Sequence, residues 1–244
     1  MNRIFVILSL MAVLFYSCSE ESIPPVPVDL QSEYYPLEKG KTWIYSTDSI
    51  VYNLQLGSVD TLRGFVKETI RESFETSAGS TTFVIERSFR RSLEDDWSLT
   101  DVFSASYIDN KATRTEENLR FVKLLLPPVE NQEWDGNQFI DESIIVNING
   151  ENIQVYKNWN SEVVAINDNF TVGMLDYTDV VEVQLADSEN SIEKRYAKEI
   201  YARDVGLIYR EMVIIDTQNT NLDLPIEERA EKGFVLTQTL IQSF

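Results

Sequence analysis

The chain has 244 residues, 43% of them hydrophobic and 11% aromatic, enough for one large β domain or two small ones with a real core. Its 40 acids against 21 bases give a net charge of −19; this excludes the basic surface a nucleic-acid partner needs and electrostatic docking on anionic lipid, and reads most simply as solubility. There is no histidine, which excludes Ser-His-Asp and Cys-His catalysis and imidazole metal sites and leaves any enzyme to carboxylates, Lys, Tyr, Ser or Thr.

The N-terminus reads as an export signal: the charged start Met1-Asn2-Arg3, then the 12-residue apolar run Ile4 to Phe15, then Ser17 before Cys18. The run is too short to span a membrane, which takes about 20 residues. Phe15-Tyr16-Ser17-Cys18 resembles the lipobox of bacterial lipoproteins, although Phe15 and Tyr16 stand where that pattern has Leu and a small residue. The resemblance implies cleavage after residue 17, lipid on Cys18 and an outer-membrane location, on either the periplasmic or the cell-surface face. Cys18 is the only cysteine, so no intrachain disulfide is possible and stability must come from the core.

Residues 18–33 are polar and carry Pro24, Pro25 and Pro27, so they read as a lipid anchor and semi-extended tether. Ser19-Glu20-Glu21 resembles the acidic surface-export signal of Bacteroidota lipoproteins and reads equally as ordinary linker acidity. Residues 34–244 are expected to form a single domain.

From residue 34 the period is mostly two. Trp43, Tyr45 and Thr47 alternate with Ile44, Ser46 and Asp48, and β-prone residues continue to Leu54. Phe65 to Phe74, Thr81 to Phe89 and Trp97 to Tyr107 are similar runs, and Leu119 to Leu126 stops at Pro127-Pro128. Ile144 to Ile148 and Ile153 to Tyr156 flank Asn149-Gly150, a hairpin signal in which both residues tolerate positive φ. Ser161 to Ile166, Tyr177 to Ala186, Arg195 to Ala202, Leu207 to Ile215 and Phe234 to Ile241 follow. Arg195 to Arg203 also fits a helical stripe. Residues 216–233 read as a long loop in which Leu224 to Lys232 can form a helical turn or two. The fold class is therefore mostly β, an antiparallel sandwich or open half-barrel of about a dozen strands with little helix. Pro36-Leu37 before Trp43 and Pro128-Val129 before Trp134 echo each other faintly, as two related halves would.

Three stretches resemble an uncharacterised family of Bacteroidota lipoproteins: Tyr34-Tyr35-Pro36-Leu37 through Gly40 to Trp43-Ile44-Tyr45 at the start, Glu116 to Leu126 with Trp134-Asp135-Gly136-Asn137 in the middle, and Tyr196-Ala197 through Val205-Gly206-Leu207 near the end. The resemblance implies an envelope compartment and one domain, and no active-site residue.

Candidate chemistry is sparse. Glu94-Asp95-Asp96, Asp141-Glu142 and Asn167-Asp168-Asn169 lack the spacing of a calcium loop and read as solvated loops. Two carboxylates at the right separation suffice for glycoside hydrolysis, but 40 acids make such a pair unavoidable. Trp97, Trp134 and Trp159 lie at strand starts or turns, where they serve as ligand-stacking candidates or as packing. Arg87, Arg90 and Arg91 read as one strand face. Ser49 and Thr61 sit in Asp-Ser/Thr-aliphatic triplets that resemble an O-glycan acceptor of the same bacteria. Asn169-Phe170-Thr171 is an N-glycan sequon, discounted in a bacterial lipoprotein.

No cofactor, metal or catalytic residue is expected. The leading expectation is a non-enzymatic binding or interaction module, held to the membrane by Cys18 and facing an unidentified envelope protein, glycan or lipid. The alternatives are a half-barrel carrier of an apolar ligand and a carboxylate-dependent glycosidase. A gap in the core behind an apolar concave face favours the carrier, facing carboxyls across a cleft the glycosidase, and a filled core with flat polar faces the module.

Overall fold

The computed structural model describes residues 29–77 and 79–244. The signal segment 1–17, Cys18 and the tether as far as residue 28 lie outside the described residues.

Six strands run as an antiparallel meander: β1 (Thr42–Asn53), β2 (Ser58–Glu75), β3 (Thr81–Arg90), β4 (Ser98–Ile108), β5 (Lys111–Glu116) and β6 (Leu119–Leu125). The short β7 (Glu133–Trp134) opens the second half. A separate hairpin of β8 (Val146–Ile148) and β9 (Glu151–Ile153) follows, then β10 (Ser161–Val172), β11 (Leu175–Glu189), β12 (Glu193–Ala202), β13 (Gly206–Asp216) and β14 (Lys232–Ser243). The long sheet has 12 strands in the order β6-β5-β4-β3-β2-β1-β14-β13-β12-β11-β10-β7. The two meanders are thus joined where β1 pairs with β14.

The free ends of the sheet also meet. Val122 N–H on β6 donates to the Gly136 carbonyl just past β7 at 2.8 Å, and the Trp134 indole donates to the Val122 carbonyl at 3.0 Å. Of the two architectures open to the sequence, the sheet adopts the curled one and goes further, to a nearly closed barrel. Closure removes most of the unpaired edge that an open sheet exposes.

The period of two sets which side chains enter. Along β2, Gly64, Val66, Glu68 and Ile70 are buried while Phe65, Lys67 and Thr69 between them are only partly covered. One end of the barrel is plugged by the segment before β1. Tyr34, Tyr35 and Leu37 are buried there, beneath Trp43 and Tyr45 of β1. The Trp43 indole donates to the Val205 carbonyl at 2.6 Å and the Tyr45 hydroxyl to the Leu207 carbonyl at 3.1 Å. Gly206 between them has φ +94°, and a Cβ there would stand 3.2 Å from Pro36 Cδ. The aromatic-Pro-Leu and Val-Gly-Leu motifs are therefore the two sides of one closure, and Trp134-Asp135-Gly136 with β6 forms the other. Trp43 stands on β1 in the middle of the sheet and Trp134 on the two-residue β7 at its end.

Some of these elements follow expectation and others depart from it. Lys111–Glu116 is a full strand, not a connection. Arg195 to Ala202 lies in β12, and the helical stripe is not used. Ile226–Arg229 forms a 3-10 turn within the long loop. Arg87, Arg90 and Arg91 do not form one strand face: Arg87 pairs with buried Glu68, Arg90 stacks over Phe65 and Trp97, and Arg91 lies past the end of β3.

Candidate functional site: a charged layer under an apolar cavity

Six strands send charged side chains into the barrel at one level: Glu68 from β2, Arg87 from β3, Arg114 and Glu116 from β5, Lys123 from β6, Glu199 from β12 and Arg210 from β13. Glu68 Oε1 accepts from Arg87 Nε at 3.0 Å and from Arg114 Nη2 at 2.7 Å, and its Oε2 accepts from Arg114 Nη1 at 2.9 Å. Arg114 thus grips Glu68 with two prongs. Arg114 Nε stands 2.5 Å from Glu116 Oε1. Across the barrel, Glu199 Oε1 accepts from Lys123 Nζ at 2.6 Å and Arg210 Nε at 2.8 Å, while Oε2 takes the Tyr201 hydroxyl. Arg210 Nη1 donates to Gln238 Oε1 on β14 at 3.3 Å.

Burial works against every charge in this layer, and pairing offsets it. Burial alone would raise the Glu68 carboxyl, but Arg114 and Arg87 outweigh it and hold its pKa at about 2. Glu116 is held low in the same way, chiefly by Arg114, and Glu199 by Lys123 and Arg210. Lys123 is the exception: burial lowers its pKa and the attraction of Glu199 does not fully restore it. Four cations, Arg87, Arg114, Lys123 and Arg210, face three carboxylates, Glu68, Glu116 and Glu199. The layer is one positive charge in excess, inside a chain of net charge −19.

Below the layer, toward the plug, is a void of about 30 Å³ lined by Tyr35, Tyr45, Tyr201, Arg114, Lys123 and Arg210, room for one or two waters. Above it the barrel is not filled. A cavity of about 330 Å³ has Arg87, Glu116, Lys123, Glu199 and Arg210 as its floor. Its walls are apolar: Val66, Phe89, Phe121, Leu185, Met212 and Leu236 stand in them. The size falls within the roughly 300–1,000 Å³ of small-molecule sites.

The far rim carries the β8–β9 hairpin and the segment that follows it. The Asn53 amide donates to the Asn149 carbonyl at 2.6 Å, Gln55 N–H to Glu151 Oε1 at 2.8 Å, and Lys232 Nζ to the Asn152 carbonyl at 3.2 Å. Past the hairpin, Tyr156 packs between Phe121 at 5.2 Å and Trp159 at 5.4 Å. Tyr156 and Trp159 both line the cavity.

The three tryptophans singled out from the sequence therefore do different things. Trp159 is in the cavity wall, with its indole N–H on the Val155 carbonyl at 2.9 Å. Trp134 is buried in the β6–β7 seam. Trp97 lies apart from both, with Lys67 4.8 Å and Arg90 4.3 Å from its ring centroid. Ser49 is half-buried on β1 and faces the cavity, whereas Thr61 on β2 is exposed. None of the seven charged residues of the layer stood out in the sequence as a site. The available signal was a charge in phase with buried neighbours, as in Val66-x-Glu68-x-Ile70 and Ala197-x-Glu199-x-Tyr201.

No protein-family model matches the chain, and no curated protein is similar to it in sequence. Two solved structures are similar over most of the chain. One is a protein of Bacteroides fragilis, inferred to be exported and described as having a YmcC-like fold, with 10% identity, a TM-score of 0.43, and 86% of this chain and 97% of that chain covered. The other is a protein of Parabacteroides distasonis, inferred to be a lipoprotein, with 10% identity, a TM-score of 0.40, and 86% of this chain and 98% of that one covered. Scores this low say nothing about what the present chain binds or does.

Proposed function

We propose that this chain is a non-enzymatic binding protein of the cell envelope whose barrel holds an acyl chain or another small apolar ligand. The cavity of about 330 Å³ above the charged layer, walled in part by Tyr156 and Trp159, carries the reading. A filled core would have pointed to a module acting through its outer faces. The envelope placement rests on the sequence: the basic start, the short apolar run and Cys18 support a lipid anchor in the outer membrane.

The glycosidase alternative draws less support from the site. A general acid in glycoside hydrolysis needs a carboxyl raised toward neutrality. The carboxyls of the layer, Glu68, Glu116 and Glu199, are all shifted downward by their cationic partners. They are charge partners, deprotonated at neutral pH, with no proton to give a leaving group.

The test uses the full chain in lipid nanodiscs and bromododecanol, an uncharged chain whose bromine quenches tryptophan emission on contact. The emission of Trp159 is isolated by subtracting a Trp159→Phe chain in the same nanodiscs. Saturable quenching of Trp159 is expected. It should disappear in Ser49→Phe, which places a ring in the cavity without adding charge. If Trp159 is quenched no more than in proportion to bromododecanol partitioned in the disc, the carrier reading is wrong.

A further inference from the structure

The floor of the cavity is as specific a feature as its walls, and the two differ in kind. We infer that the cavity takes an anionic amphiphile, with its acid group on Lys123 and Arg210 and its apolar chain against the Phe121–Tyr156–Trp159 wall. This deepens the carrier reading and rests on it.

Three observations converge on these two side chains. The first is charge balance: three carboxylates cannot neutralise Arg87, Arg114, Lys123 and Arg210, and a buried charge without a counter-ion is costly. The second is where the shortfall lies. Glu68 takes Arg87 and both terminal nitrogens of Arg114, and Glu116 faces Arg114 Nε. On the opposite side, a single carboxylate oxygen of Glu199 serves both Lys123 Nζ and Arg210 Nε, while its second oxygen takes the Tyr201 hydroxyl. The third is free donor capacity. Among the described residues Lys123 Nζ has one acceptor out of three possible bonds, and Arg210 uses Nε and Nη1 but not Nη2.

Both side chains line the cavity and the void below it, so the unused donors border open space, not packed protein. An ammonium and a guanidinium sharing one acceptor offer an acid group two charge-assisted bonds at once. A neutral apolar molecule would fill the walls and leave the floor short of its anion. A cationic one would add to the excess. An acid head on one chain satisfies both, and a cavity near the lower end of the ligand range suits a single chain.

The experiment compares head groups on a fixed chain, again by Trp159 quenching in the full chain in nanodiscs, with concentrations corrected for partition into empty discs. Bromododecanoate is expected to bind about tenfold more tightly than bromododecanol, the effect of one charge-assisted bond. In Lys123→Met, which makes the layer three against three, the preference should collapse while bromododecanol still binds. In Lys123→Arg the preference should remain. The corresponding bromoalkyl phosphate tells a lipid phosphate head from a free acid; preference for either over the alcohol supports the inference. Equal binding of acid and alcohol by the wild type overturns it and leaves the carrier reading standing. A preference that survives in Lys123→Met also overturns it, because the head then lies elsewhere. If neither acid nor alcohol quenches Trp159, it is the carrier reading that fails.

Discussion

Lys123 and Glu199 are 76 residues apart in the chain and 2.6 Å apart in space. Lys123 comes from the last strand of the first meander and Glu199 from the middle of the second, so this pair, with Arg210 on the same oxygen, ties the halves together through the interior. Glu199→Gln would leave two buried cations facing a neutral amide. We expect it to lower the unfolding free energy by about 3–5 kcal/mol. Lys123→Met leaves Glu199 its bonds from Arg210 and Tyr201, and is expected to cost under about 1.5 kcal/mol. Urea unfolding of both variants measures the contrast. Equal losses would mean that Glu199 does not hold the layer together.

The carboxylates give the barrel a defined acid limit. The folded pKa of Glu68 is held at about 2 against an ordinary 4.5. A depressed carboxyl contributes stability that is fully present above its unfolded pKa and lost as pH falls through the folded one. The Glu68 contribution is thus complete above about pH 4.5 and gone below about pH 2, a span of about 3 kcal/mol. Glu116 and Glu199 are shifted in the same direction and add to the decline. Denaturant unfolding from pH 6 to pH 2 should show a steep fall, and Glu68→Gln should start lower and fall less steeply. Parallel curves for the two proteins would remove Glu68 from the account.

What the sequence discloses here follows from which interactions are local. The strands β1 to β3 were legible because Trp43, Tyr45, Val66 and Ile85 lie in runs of β-prone residues, and in β1 Ser46 and Asp48 alternate with Tyr45 and Thr47. Asn149-Gly150 was legible because its turn is set by two adjacent residues, and both have positive φ, 51° and 91°. β5 was not, because Lys111-Ala112-Thr113-Arg114-Thr115-Glu116 is polar in both phases and its inward phase carries charge. Closure was not legible either. It depends on β1 meeting β14 and on Val122 meeting Gly136, pairings between segments with no local reason to prefer one another. The charged layer was hidden for the same reason: Glu68, Lys123 and Glu199 come from distant segments and meet only when the sheet curls and sets them face to face.

The different positions of the tryptophans make the cavity observable by its own emission. Trp159 lines it, Trp97 does not, and Trp43 and Trp134 are fastened to backbone carbonyls at the plug and the seam. Any ligand that enters should change the emission of Trp159 alone. Trp159→Phe should abolish at least most of the ligand-induced change, and Trp97→Phe should leave it intact. A signal that survives Trp159→Phe and vanishes with Trp97→Phe would move the binding surface to the Lys67 and Arg90 side of the barrel, the surface expected of an interaction module.

The rim hairpin should open independently of the barrel. β8 and β9 pair only with each other, and their ties to the rim include the Asn53–Asn149 and Gln55–Glu151 bonds. Gly150 has φ +91°, a conformation that a β-branched residue adopts only with strain of about 1–3 kcal/mol. From the sequence alone, Gly150→Val would be expected to weaken the whole domain. The structure localises the effect, because no strand of the barrel passes through residue 150. Amide exchange distinguishes the two outcomes. Gln55 N–H, held by Glu151, should exchange roughly tenfold to a hundredfold faster in Gly150→Val, whereas Val122 N–H, held across the seam by Gly136, should keep its wild-type rate. If both amides accelerate by the same factor, hairpin and barrel open as one unit, and the hairpin is part of the fold's cooperative core instead of a separate element on its rim.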